Sequence, residues 1–189
     1  DAMYFIAEMY HDGNGVVKDS KLALKWFEKA ADAGNNNAMK NVEQITKGEG
    51  YTAINMGPLD SVGEYSLIHP KLNTEIFGKL FLKDVTGATG TEISFNTLPS
   101  HTEIPYFHRH RDNEETYIIL RGSGDFQIDD DCFPVCEGSV VRVAPAPSRG
   151  MRNSSDEPMI YMVIQSKENS LGNYSTEDGS RTEWNPKWK

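Results

Sequence analysis

The residues whose types and spacing could do chemistry are His108, His110 and Glu115. Alternate residues of an extended strand share a face, so imidazoles at i and i+2 converge on one ion while Arg109 points away. Glu115 opens the next strand after a short connection and adds a carboxylate oxygen. Two histidines and one carboxylate leave coordination positions free, which suits a divalent iron, manganese, nickel or zinc ion. The plain alternative is a pair of surface histidines on a strand edge. An acid at this spacing, with Gly122 ending the strand that follows, argues against it.

These donors must be placed by strands. After Gly48 the chain runs in short segments rich in β-branched and aromatic residues, bounded by Gly, Pro, Asn and Asp. Strands are predicted over Glu75–Lys83, Thr91–Leu98, Glu115–Leu120, Gly124–Ile128, Ser139–Val143 and Met159–Gln165. Such a series implies an all-β sandwich or barrel. Asp129, Asp130 and Asp131 read as a hairpin turn, because Asp bonds its own main chain and tolerates the required backbone. Glu114, next to Glu115, would face the opposite side. His101 reads as a loop histidine, and neither His11 nor His69 has a partner in the sequence.

The N-terminal segment has a different period. From Asp1 to Lys47 apolar residues recur at helical spacing, with Ile6, Met9 and Tyr10 in one run and Leu22, Ala23, Trp26, Phe27 and Ala30 in another. A pair of helices and part of a third follow from this. Gly13, Asn14 and Gly15 break the first pair, Asp19 or Ser20 can cap the second helix, and Gly34 can end it. Ala2 and Ala38 open similar patterns, Ile6 answered by Val42 and Met9 by Ile45, so the segment reads as a helical repeat.

Bulk properties exclude several classes. The chain has 189 residues, with 38% hydrophobic and 25% charged, an ordinary globular profile. A formal charge of −9 without a Lys/Arg cluster predicts no nucleic-acid partner. No apolar run is long enough to span a bilayer, so no membrane segment is expected. Cys132 and Cys136 fall in one strand about 13 Å apart, too far for a disulfide. Two unpaired thiols point to a reducing compartment and hence to the cytoplasm, with a cleaved signal peptide as the alternative. Asp1 stands inside the first helix, as in a processed or truncated product of a longer chain.

The helical segment resembles the Sel1-like repeat through Ala2, Ile6, Tyr10, Gly13, Gly15, Val16, Asp19, Ala23, Trp26, Ala30, Ala31, Gly34 and Ala38. One full repeat is matched, and a second breaks off at Gly48-Glu49-Gly50. The resemblance implies a protein-interaction scaffold. Residues after 51 resemble the cupin superfamily, whose first motif is matched by His108, His110, Glu115 and Gly122, with Thr102 where the family usually has glycine. Gly138 to Val143, Pro145 and Asn153 resemble the second motif. The expected class is therefore α+β: a Sel1-like helical hairpin over 1–48, then an all-β cupin barrel (a double-stranded β-helix or jelly roll) over 49–189.

That resemblance implies a divalent metal on His108, His110 and Glu115, a small-molecule ligand and a homodimer. It also isolates a departure, since Arg149 stands where the family supplies a third histidine. A guanidinium does not ligate metal. Three outcomes stay open: a three-ligand metal, a metal-free pocket, or an arginine that binds an anionic substrate group. Tyr117, Phe126 and Met151 join Arg149 as pocket-lining candidates, although aromatic and Met side chains in strands are mostly core. Two functions compete. One is a metal-dependent oxygenase, isomerase or decarboxylase, and the other a non-catalytic sensing or binding cupin.

Overall fold

A computed structural model describes residues 2–19, 22–23, 25–27, 29, 45–68, 75–172, 178–184 and 186–188. Its two compact units are Asp1–Ser61 and Val62–Lys189. No helix among the described residues is long and apolar enough to cross a membrane.

In the first unit, helix α1 covers Ala2–Asp12. Gly13, with φ 73°, ends it by donating to Met9 O at 2.8 Å, a conformation that costs glycine little. Asp19 is the cap predicted from sequence: its Oδ1 accepts from Leu22 N at 3.0 Å, and residues 22–23, 25–27 and 29 are helical. Ala7 of α1 and Ala23 of this second stretch are buried. Ser20, Ala30, Ala31, Gly34, Ala38, Val42 and His69 lie outside the described residues.

The helical reading fails at Ile45. Strand β1, Ile45–Gly48, pairs antiparallel with β2, Tyr51–Ile54. The cause is local: Gly50 takes φ 79°, so Glu49-Gly50 turns the chain back on itself and the ladder overrides the helical period of the residues before it.

In the second unit, β3 (Ser66–Ile68) and β4 (Glu75–Phe77) form a two-stranded sheet. The strand predicted over Glu75–Lys83 is interrupted. Gly78, with φ 73°, ends β4, β5 spans Lys79–Phe81, and one helical turn follows at Lys83–Thr86. A single left-handed residue thus moves the chain from one sheet to another.

The remaining strands are β6 (Thr91–Leu98), β7 (Thr102–Glu103), β8 (Asn113–Arg121), β9 (Ser123–Ile128), β10 (Asp131–Cys136), β11 (Val140–Val143), β12 (Arg149–Asn153) and β13 (Met159–Lys167). They make a five-stranded sheet, β11-β8-β13-β6-β5, and a four-stranded sheet, β10-β9-β12-β7. Burial alternates along β6 and β8, as period-2 strands with one face inward require. The inward faces bury Leu98, Tyr117, Ile119, Phe126, Met151 and Val163 in one core.

Two turns fall where the sequence predicts, although Asp131 opens β10 instead of belonging to the turn. Asp129, with φ 49°, and Asp130 join β9 to β10. Gly122, with φ 86°, joins β8 to β9, where a Cβ would lie 2.9 Å from Met159 Cα. Cys132 and Cys136 are both free and exposed on β10. Strand β12 was not legible beforehand, because Arg149 and Gly150 at its start carry no strand preference.

Candidate metal and ligand site

Glu115 lies on the inward face of β8, while Glu114 faces out. The histidines come from an extended segment held to one neighbour. His108 exchanges both backbone hydrogen bonds with Arg149, at 3.1 and 2.9 Å, and His110 N donates to Pro145 O at 3.0 Å. The strand predicted for this pair is thus a single bridge, sufficient to aim both imidazoles at Glu115. His110 Nε2 stands 3.1 Å from Glu115 Oε1, and His108 Nε2 stands 3.4 Å from Oε2. One ligand atom from each of the three residues lies within 4.8 Å of the others.

The arginine that displaces a family histidine enters this cluster. Arg149 is 0% exposed, with Nε and Nη2 each 3.0 Å from Glu115 Oε2. Its Nη1 donates to Pro147 O at 3.1 Å and Pro145 O at 3.4 Å. It is therefore enclosed, with Nε and Nη1 bonded to protein acceptors and Nη2 in ion-pair range of Glu115 without a hydrogen bond among the described residues. Full burial of a guanidinium requires this kind of pairing.

Tyr117, two residues along the same strand face, donates to Glu115 Oε2 at 2.6 Å. Burial, then the Glu115 carboxylate, push the Tyr117 hydroxyl above its ordinary range and keep it a donor. Burial also works against the charged form of Glu115. Hydrogen bonding from His108 and Tyr117, with the charges of His110 and Arg149, overcomes it and lowers the carboxyl to about 2.

The two carboxylate oxygens differ in consequence. Oε2 is crowded by Tyr117 and Arg149, whereas Oε1 faces His110. Clamping Oε2, which also lies toward His108, holds Oε1 toward the His110 imidazole. Three buried nitrogens, His108 Nδ1, His110 Nε2 and Arg149 Nη2, have no hydrogen-bond partner among the described residues. Gln165 Nε2 lies 3.2 Å from His110 Nδ1. Rotating that amide by half a turn sets its carbonyl against an Nδ1–H and leaves Nε2 with a free lone pair, the tautomer a metal ligand needs. The donor set fits a divalent ion.

Of the other candidates, Phe126 is fully buried, its ring 4.9 Å from that of Tyr117, and Met151 is buried in the same core. Phe126 packs in the core, and Met151 also lines a cavity with Tyr106, Phe107 and Gly150. Glu114 pairs outside with Arg142. His101 pairs with Asp156 at 2.8 Å on the surface, and His11 with Asp12 at 2.7 Å. Gln165 was missed from sequence; its register opposite Glu115 is set only by the β8–β13 ladder.

The Sel1 repeat family model matches residues 1–35 and the cupin domain model residues 95–165. A cupin protein from Bacteroides fragilis is 36% identical, with 56% of this chain and 89% of that chain covered at a TM-score of 0.54. A Cupin 2 conserved barrel domain protein from Salinispora arenicola is 18% identical, covering 61% and 91% at a TM-score of 0.48. A sugar phosphate isomerase from a cupin superfamily, from Silicibacter pomeroyi, is 19% identical, covering 54% and 68% at 0.45. No curated protein matches. With its β-sheet topology, its His-His-Glu cluster and that Bacteroides likeness together, the chain belongs to the cupin family and carries a Sel1 repeat at its N-terminal end.

Proposed function

We propose that the barrel binds a divalent metal through His108, His110 and Glu115 and holds a small polar or anionic molecule beside it. The observation that carries this reading is the clamped carboxylate, with Oε1 aimed at His110 while Arg149 and Tyr117 hold Oε2. Charge then favours an anion: a dication, one carboxylate and one guanidinium leave the site positive, and a neutral enclosure amplifies that. A bound ion would supply Lewis acidity to a carboxylate or carbonyl of the ligand, the resource of an oxygenase, isomerase or decarboxylase. The chain's own share is to orient Glu115, select the His110 tautomer and exclude water around the buried pair.

Metal analysis of the purified full-length protein tests this. Stoichiometric metal, lost in His108→Ala and Glu115→Ala, is the expected result. Metal-free protein whose ligand binding is unchanged in both variants would sink the proposal.

A second reading has its own support. Arg149 already neutralises Glu115, as a barrel without metal requires, and that barrel would sense or store a ligand without turnover. Arg149→His distinguishes the two by its effect on metal affinity, which rises if Arg149 stands at the fourth ligand position. In either case the Sel1 repeat is assigned to docking a partner protein, and the barrel to a homodimer. Loss of a partner on deleting residues 1–47, and the mass in light scattering, check these assignments.

A further inference from the structure

The inward face of the five-stranded sheet carries a second polar group, separate from the metal-ligand candidates. Register aligns Lys79 on β5 with Asn96 on β6, Tyr161 on β13 and Ile119 on β8. The next row holds Phe81, Ser94, Val163 and Tyr117, and the row after it Glu92, Gln165 and Glu115. Lys79 and Glu115 therefore line one interior.

Three groups in the first row have unused capacity. Asn96 is 1% exposed; its Nδ2 donates to Ser94 O at 3.2 Å and to Ser94 Oγ at 3.1 Å, while its Oδ1 has no hydrogen-bond partner among the described residues. A buried amide oxygen without a donor costs stability, and such sites in native proteins call for an explanation. The Tyr161 hydroxyl has no hydrogen-bond partner among the described residues, and its ring stacks on Tyr117 at 6.5 Å. The Lys79 ammonium lies 5.1 Å from the centre of the Phe81 ring and makes no hydrogen bond or ion pair among the described residues. Burial lowers its pKa and the field of Glu115 opposes the fall, which ties it to the same interior.

We propose that Lys79, Asn96 and Tyr161 form the recognition wall for the barrel's ligand, and that this ligand is a small hydroxylated anion. Its negative group sits on the Lys79 ammonium, and an adjacent hydroxyl donates to Asn96 Oδ1. Tyr161 serves as donor or acceptor to a second oxygen. The stereochemistry is demanding: a simple carboxylate lacks the hydroxyl that Asn96 Oδ1 needs, and a neutral polyol lacks the charge. This assignment rests on reading the barrel mouth as a ligand site.

Calorimetric titration of the full-length protein with gluconate, glycerol 3-phosphate and xylitol tests it. Gluconate or glycerol 3-phosphate is expected to bind more tightly than xylitol, and the preferred anion identifies carboxylate or phosphate as the charged group. Lys79→Gln should weaken the preferred anion about tenfold or more. Lys79→Arg should retain it, and the metal content of both variants should match the parent. Equal affinity for xylitol, undiminished binding in Lys79→Gln, or no binding of either anion would overturn the proposal. Should Lys79→Gln fail to fold, the Asn96 side-chain amide resonance of the parent protein decides: it moves on adding the anion if the wall is real and stays fixed if it is not. Metal-free protein that still shows Lys79-dependent anion binding defeats the metal reading alone.

Discussion

Glu114 and Glu115 are neighbours on β8, and each meets an arginine, on opposite sides of the sheet. Glu114 pairs with Arg142, whose side chain is 50% exposed, and Arg142 also reaches Glu168 at 3.0 Å. Glu115 pairs with Arg149, which is 0% exposed. The outer pair loses little when broken, because water and salt replace the partner. The inner pair cannot be broken cheaply, since either charge alone would be stranded in a poorly solvated interior. A period of two in one strand thus separates a surface contact from the centre of the site.

The sharpest way to break the comparison is to remove one inner partner. Glu115→Ala should destabilise the metal-free barrel by about 3–5 kcal/mol, read by urea unfolding. The paired replacement Arg149→Met with Glu115→Leu should recover most of that loss, because no charge is left unpaired. A double variant as unstable as the single one would mean that the cost lies in packing rather than in the stranded charge. Tyr117→Phe removes the 2.6 Å bond to Oε2 and is expected to cost about 1–3 kcal/mol, with weaker metal retention as Glu115 loses its clamp.

Acid probes the same pair. The Glu115 carboxyl is depressed from 4.5 to about 2 in the folded protein, so its contribution is complete above 4.5 and is lost as pH falls toward about 2. Metal-free parent protein should therefore lose stability through that window more steeply than Glu115→Gln, which has no such group to titrate. Parallel curves would remove Glu115 from the acid response. The smallest effect belongs outside: Glu114→Ala should change stability by about 0–1 kcal/mol and less as salt rises.

Much of the site was readable beforehand because its logic is local. The His-x-His spacing, the acid five residues later and the glycine after the next strand are consequences of strand period and turn geometry. Gln165 and the row containing Lys79 and Asn96 were not readable, since cross-strand register between distant segments has no local signature. The same limit explains Glu75–Lys83, where the β pattern continued through Gly78 although the chain changed sheets. At Ile45 the error ran the other way, with a two-residue turn overriding a helical period.

By itself, then, the sequence determined the change from a helical to a strand period, the three candidate ligands and the presence of an arginine at the position of a fourth. Only the tertiary structure placed that arginine. Its partner lies 34 residues away on another strand, and burial, which no run of residues specifies, sets its guanidinium against Glu115.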